Sequence, residues 1–142
     1  MVNRRRTAAA LLPTLLLAGC ATTGLLESEL KTAIRGSAGG SFALSEVEGV
    51  DGSSFLVICP YESTELIESR LNFAWSDAPD YSKADDRQTI AVISDGEVAS
   101  ATEISRDTID FCSAGPWEVL FVETELAVSG STDTAQVTVA SR

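Results

Sequence analysis

Apolar positions follow two rhythms along this chain. Between residues 25 and 35, Leu26, Leu30, Ala33 and Ile34 recur at the i, i+4, i+7, i+8 spacing of one helix face. The stripe stops at Arg35-Gly36, and the following GSAGGS reads as a flexible joint. Such a helix would lie against a membrane or against the domain, or form part of a spacer. From Ser41 the patterning becomes that of strands. SFALSEVE precedes the turn-like GVDGS, and the continuous apolar run Phe55-Leu56-Val57-Ile58-Cys59 predicts a central strand buried on both faces and ended by Pro60.

A helical period returns over residues 62–75. Ser63 or Thr64 is suited to cap its start, Glu65 suits the first turn, and Ile67, Leu71, Ala74 and Trp75 form one stripe. Residues 76–88 are polar and broken by Pro79, as a loop is. Two β-rich runs then flank Asp95-Gly96, a dipeptide favoured where a tight hairpin turn needs positive φ at both central positions. Leu120, Val122, Leu126 and Val128 share one face of what reads as a long strand. TAQVTVA reads as a last, edge strand. The expected fold is α+β in two layers: a mostly antiparallel sheet of about six strands, one main helix (62–75) packed on it, and a short N-terminal helix near 25–35.

Composition narrows the functional classes. The chain has 142 residues, a formal net charge of −11 and no histidine. Strong acidity closes the usual electrostatic route to nucleic acid. Without histidine there is no Ser-His-Asp or Cys-His catalysis, no His-ligated zinc and no histidine pH switch. Carboxylate chemistry survives that filter.

The first twenty residues are organised differently. Arg4-Arg5-Arg6 opens a run that is uncharged and rich in Ala and Leu over residues 7–19. That run is shorter than the roughly 20 apolar residues that span a bilayer, and Pro13 interrupts it. A basic start, a short apolar middle and a small-residue exit are the parts of a secretory signal peptide. The exit, Leu17-Ala18-Gly19-Cys20, resembles the lipobox of bacterial lipoproteins at every position. The resemblance covers residues 1–20 alone; residues 41–142 resemble no family. It implies that the leader (1–19) is cleaved, that the sulfur of Cys20 carries a diacylglyceryl group, and that acylation of the new amino group can follow. Two acyl chains hold a protein stably at about 0.8 kcal/mol per buried CH₂, whereas one is marginal. Loss of the three leader arginines takes the net charge from −11 to −14, so anionic headgroups would lend no attraction. The expected organisation is a signal peptide at 1–19, a lipidated tether at 20–40 and one α+β domain at 41–142.

Assigning Cys20 to lipid leaves Cys59 and Cys112, 53 residues apart. In an exported chain they are expected to pair, a cross-link worth on the order of 4 kcal/mol by chain entropy. The rival is two free thiols, which would lack both a Cys-x-x-Cys spacing and a histidine co-ligand.

Three further groups bear chemistry. Asp77, Asp80, Asp85 and Asp86 supply the hard oxygen ligands that calcium takes, but in no calcium-loop spacing, so a solvated loop is the expectation and no metal or cofactor is implied. Phe73, Trp75, Tyr81, Phe111 and Trp117 are the aromatics a ligand groove would use. The blander role is packing between sheet and helix, with Trp117 covering the disulfide. Glu123 and Glu125 fall on one face of the long strand, where an acidic pair more often meets solvent than a glycosidic bond. Lys31 and Lys83 are the only lysines, and neither forms a Ser-x-x-Lys motif. The sequence therefore points to a lipoprotein anchored on the extracytoplasmic side of a cell membrane, with a non-catalytic domain for an envelope protein or a small ligand. A carboxylate-dependent envelope hydrolase and a purely structural envelope protein are the alternatives. Binding requires an aromatic groove with Trp75 or Trp117 at its wall, and a hydrolase requires two converging carboxylates.

Overall fold

The computed structural model describes residues 23–131 and 133–141; the leader and Cys20 lie outside them. The apolar run after Ser54 forms strand β2 (Ser54–Ile58), buried from Phe55 onward on both faces. It pairs antiparallel with β3 (Arg87–Ser94), setting Phe55 against Val92 and Val57 against Ile90. β3 turns into β4 (Glu97–Ser105) through Asp95 and Gly96, whose φ values of 52° and 78° are the positive pair the hairpin turn demands. A two-residue strand, β6 (Leu120–Phe121), completes a sheet of order β4-β3-β2-β6.

The remaining strands form a second sheet instead of extending the first. It comprises β1 (Ser41–Ala43), β7 (Glu125–Gly130), β8 (Ala135–Val139) and β5 (Ile109–Asp110), in the order β1-β7-β8-β5. Two four-stranded sheets thus replace the single sheet of about six strands, within an α+β fold. The pairings are antiparallel except for β5 with β8. Three local departures follow. The long strand expected through residues 118–130 breaks after Phe121, where the Thr124 N–H turns back to the Phe121 carbonyl at 2.9 Å, and the chain passes from one sheet to the other. β8 is interior, because β5 covers its outer side. SFALSEVE gives only three strand residues before a 3₁₀ turn (Leu44–Glu46), in which the Glu46 carboxylate accepts from the Ala43 N–H at 3.1 Å.

Both helices form. In α1 (Thr23–Gly36), Leu26, Leu30 and Ile34 enter the main hydrophobic core and the helix runs beside β4. Residues that read as a tether therefore contribute to the core, and Leu30 is fully buried. α2 (Thr64–Leu71) starts at its Ser63 cap and buries Ile67 and Leu71. It ends four residues earlier than its apolar stripe. Asn72 adopts the left-handed conformation (φ 61°), with its N–H bonded to the Glu68 carbonyl, a common helix stop. No helix among the described residues is long and apolar enough to cross a membrane.

Cys59 and Cys112 are joined in a disulfide, with Cα atoms 5.7 Å apart. Trp117 is buried between Phe55 and Phe111, at ring-centroid distances of 6.2 and 6.0 Å. Its indole N–H donates to the Phe111 carbonyl at 2.6 Å. Gln88, fully buried on β3, donates through its amide to the Ile109 carbonyl and accepts the Phe111 N–H at 3.0 Å. One side chain of the first sheet thereby satisfies backbone groups at the edge of the second.

Candidate functional site: an aromatic cleft with acidic walls

The early stop of α2 decides where Trp75 goes. With the helix ended at Asn72, residues 73–75 leave its axis, and the Trp75 N–H is held by the Glu68 carboxylate at 2.8 Å. Trp75 stays half-buried and forms one wall of a cleft of about 390 Å³. Asp77, Pro79 and Tyr81 from the following loop line it, with Thr89 of β3, Ala101 and Glu103 of β4, and Glu27 of α1.

The loop is fixed at several points. The Thr64 hydroxyl bonds the Pro79 carbonyl at 3.3 Å, the Tyr81 N–H bonds the Glu62 carbonyl at 2.9 Å, and the Tyr61 N–H bonds the Tyr81 carbonyl at 2.8 Å. Tyr61 takes a positive φ of 68° to make its contact, an uncommon conformation for a bulky side chain. Within the cleft the buried Tyr81 hydroxyl lies 2.7 Å from the Thr89 hydroxyl and donates to Glu103 at 3.0 Å. Burial pushes the Tyr81 phenol up to about 12, so it remains a neutral donor at any ordinary pH.

The three carboxylates of the cleft differ in their company. Glu27 pairs with Lys31 one turn along α1, at 2.6 Å. Glu103 pairs with Arg87 at 3.3 Å and also accepts from Tyr81. Asp77 has no ion-pair partner among the described residues. Lys31 and Arg87 are outside the lining, so the interior is acidic with one uncompensated charge.

A scan against protein-family models, a search of curated proteins and a search of solved structures each found no match.

The other sequence candidates separate. Trp117 and Phe111 are both buried in the core, with ring centroids 6.0 Å apart. Phe73 packs against the core from a half-buried position. Of the four loop aspartates, Asp77 enters the cleft, Asp80 accepts the Ser82 N–H at 3.0 Å, and Asp86 lies 3.7 Å from Arg87. Among the described residues no three acidic or cysteine side chains gather as a metal site. Glu123 sits in the turn after β6 and Glu125 begins β7, so they are not two positions of one strand. They line a second depression, of about 490 Å³, with the exposed Phe121 and Val139; Glu125 also accepts from the Ser41 hydroxyl.

Sequence reasoning missed Glu27 and Glu103 as neighbours of Trp75. The three come from α1, β4 and the segment after α2, and only the tertiary fold brings them together. It also missed the Glu62–Arg70 ion pair. There Glu62 accepts the Cys59 N–H at 3.1 Å, and Arg70 donates to the Trp117 carbonyl at 2.6 Å. Burial raises the affinity of Glu62 for a proton, with Arg70 pulling the other way.

Proposed function

We propose that this protein is a lipoprotein held by Cys20 at the extracytoplasmic side of a membrane, and that its domain binds a ligand without transforming it. The observation that carries the binding half is the cleft walled by Trp75. A concave site with an aromatic side and a few converging polar groups is the form small-ligand sites take. Two of its three carboxylates are already bonded to cations or to Tyr81, which suits recognition better than proton transfer. The anchoring half rests on the Leu17-Ala18-Gly19-Cys20 resemblance and on the pairing of the other two cysteines with each other, which leaves Cys20 for lipid.

Expression of the full chain in a bacterial host, with fractionation and mass spectrometry of the N-terminal peptide, tests the anchor. The expected peptide begins at Cys20 with a diacylglyceryl mass on its sulfur, and Cys20→Ala releases the protein from the membrane fraction. An unmodified Cys20, or cleavage elsewhere, overturns that half. Incubation with a panel of glycosides and peptides tests the other, since turnover that falls on Asp77→Asn would replace binding with catalysis.

A further inference from the structure

We infer that the cleft recognises an organic ammonium group carrying one positive charge and an apolar shoulder. This deepens the binding reading above and rests on it. An indole wall attracts a cation through the negative face of its π-system, and it also covers methyl or methylene groups that water would otherwise hydrate. Asp77 sets the charge of the guest. Because Lys31 and Arg87 already offset Glu27 and Glu103 from outside the lining, one carboxylate is left to be matched, and a monocation matches it. The neutral Tyr81 hydroxyl, spent on Thr89 and Glu103, adds no charge of its own.

The anchor brings this cleft close to lipid. Cys20 precedes Thr23 by three residues, so Cα steps of about 3.8 Å keep it within roughly 11 Å of the first described turn of α1. The helix rise of about 1.5 Å per residue puts Glu27 about 6 Å further along. The Cα of a lipidated Cys20 thus lies within about 17 Å of the Glu27 Cα, whatever path the chain takes. With Cys20 lipidated, the packing of α1 into the core would keep the domain from drifting away on a long leash. Ammonium groups occur at that surface on zwitterionic headgroups, and also as free amines.

Choline is the probe. Saturation-transfer NMR on the full chain should pass magnetisation from protein to the choline methyl protons, with potassium chloride at equal ionic strength leaving the signal in place. Trp75→Leu should abolish the transfer, and Asp77→Asn, an exposed change that spares the fold, should weaken choline about fivefold. No transfer to choline, or transfer undiminished in either variant, overturns the inference. Phosphatidylcholine vesicles then separate the sources: displacement of choline assigns the headgroup, and undiminished choline binding assigns the free amine, each upholding ammonium recognition. Failure of the anchor is read independently. Choline binding by a chain whose Cys20 is unmodified removes the membrane source alone, whereas a lipidated Cys20 without choline transfer removes the ammonium ligand alone.

Discussion

Arg70 and Glu62 form an ion pair that is largely withdrawn from solvent, with side-chain exposures of 19% and 8%, and the pair ties α2 to the backbone of Cys59 and Trp117. Arg70 Nε is the one buried side-chain donor without a partner among the described residues, so the guanidinium is already incompletely satisfied. Removal of one member should be far worse than removal of both charges. Arg70→Ala is expected to cost about 3 kcal/mol in urea denaturation at pH 7. Glu62→Gln combined with Arg70→Met should cost less, because the Gln oxygen still accepts the Cys59 N–H. Lower pH should favour the Arg70→Ala variant. Its carboxylate, no longer opposed by a cation, takes up a proton more readily folded than unfolded, so its deficit should shrink as pH falls from 7 towards 5. A deficit that stays constant or grows would show that the pair is not the origin.

Asp110 gives the opposite pH signature. Burial works to raise its proton affinity, but the bidentate Arg106 contacts at 2.8 and 3.1 Å and the Cys112 N–H at 2.8 Å hold it below its ordinary value of 3.8. A depressed carboxylate stabilises the fold at pH above that value and loses its effect as pH falls through the folded pKa. Asp110→Asn should therefore lower stability by about 1–3 kcal/mol at pH 7, and the gap to the unaltered protein should narrow as pH falls below 3.8. Thermal melts of the two proteins from pH 2 to 7 provide the measurement; parallel curves throughout would sink the assignment.

Gln88→Leu keeps the volume of the side chain and removes its amide. The Ile109 carbonyl and the Phe111 N–H would then be left buried without a partner, at a cost of about 3 kcal/mol. Chemical denaturation measures it, and a loss under 1 kcal/mol would mean that water replaces the amide.

Gly52 permits a close approach that no other residue would. A Cβ there would lie 2.5 Å from Val92 Cγ1 and 2.7 Å from the Ile93 carbonyl oxygen, while the neighbouring Ser53 N–H bonds that same carbonyl at 3.0 Å. Gly52→Ala should destabilise by about 1–3 kcal/mol, and the crowding should show as shifted Val92 methyl resonances. Full stability in the variant would mean that the loop moves aside freely.

Local signals were legible where one element determines itself. The Asp95-Gly96 turn, the both-face burial of Phe55 to Ile58 and the Ser63 cap are fixed by neighbours in sequence. What escaped depends on partners far along the chain. Leu120 to Val128 alternates as one strand should, and nothing in that alternation reveals that the chain changes sheets after Phe121. Ile109-Asp110 is too short to read as a strand without β8 beside it, and β8 looked like an edge for the same reason. Trp75 matched the stripe of α2, yet Asn72 halted the helix first, and Trp75 both packs against the core and forms a wall of the cleft.

The bridge from β3 to residues 109–112 also bears on how this domain comes apart. Gln88 grips the backbone on either side of Asp110, β5 is laced to β8, and two residues further on Cys112 is covalently bound to Cys59 at the end of β2. Opening either sheet at this segment breaks contacts made with the other, since residues 109–112 pair with β8 in one sheet and are held by Gln88 and Cys59 from the other. Amide protons of β3 and β8 should then exchange with deuterated solvent in one slow class, as members of a single cooperative unit.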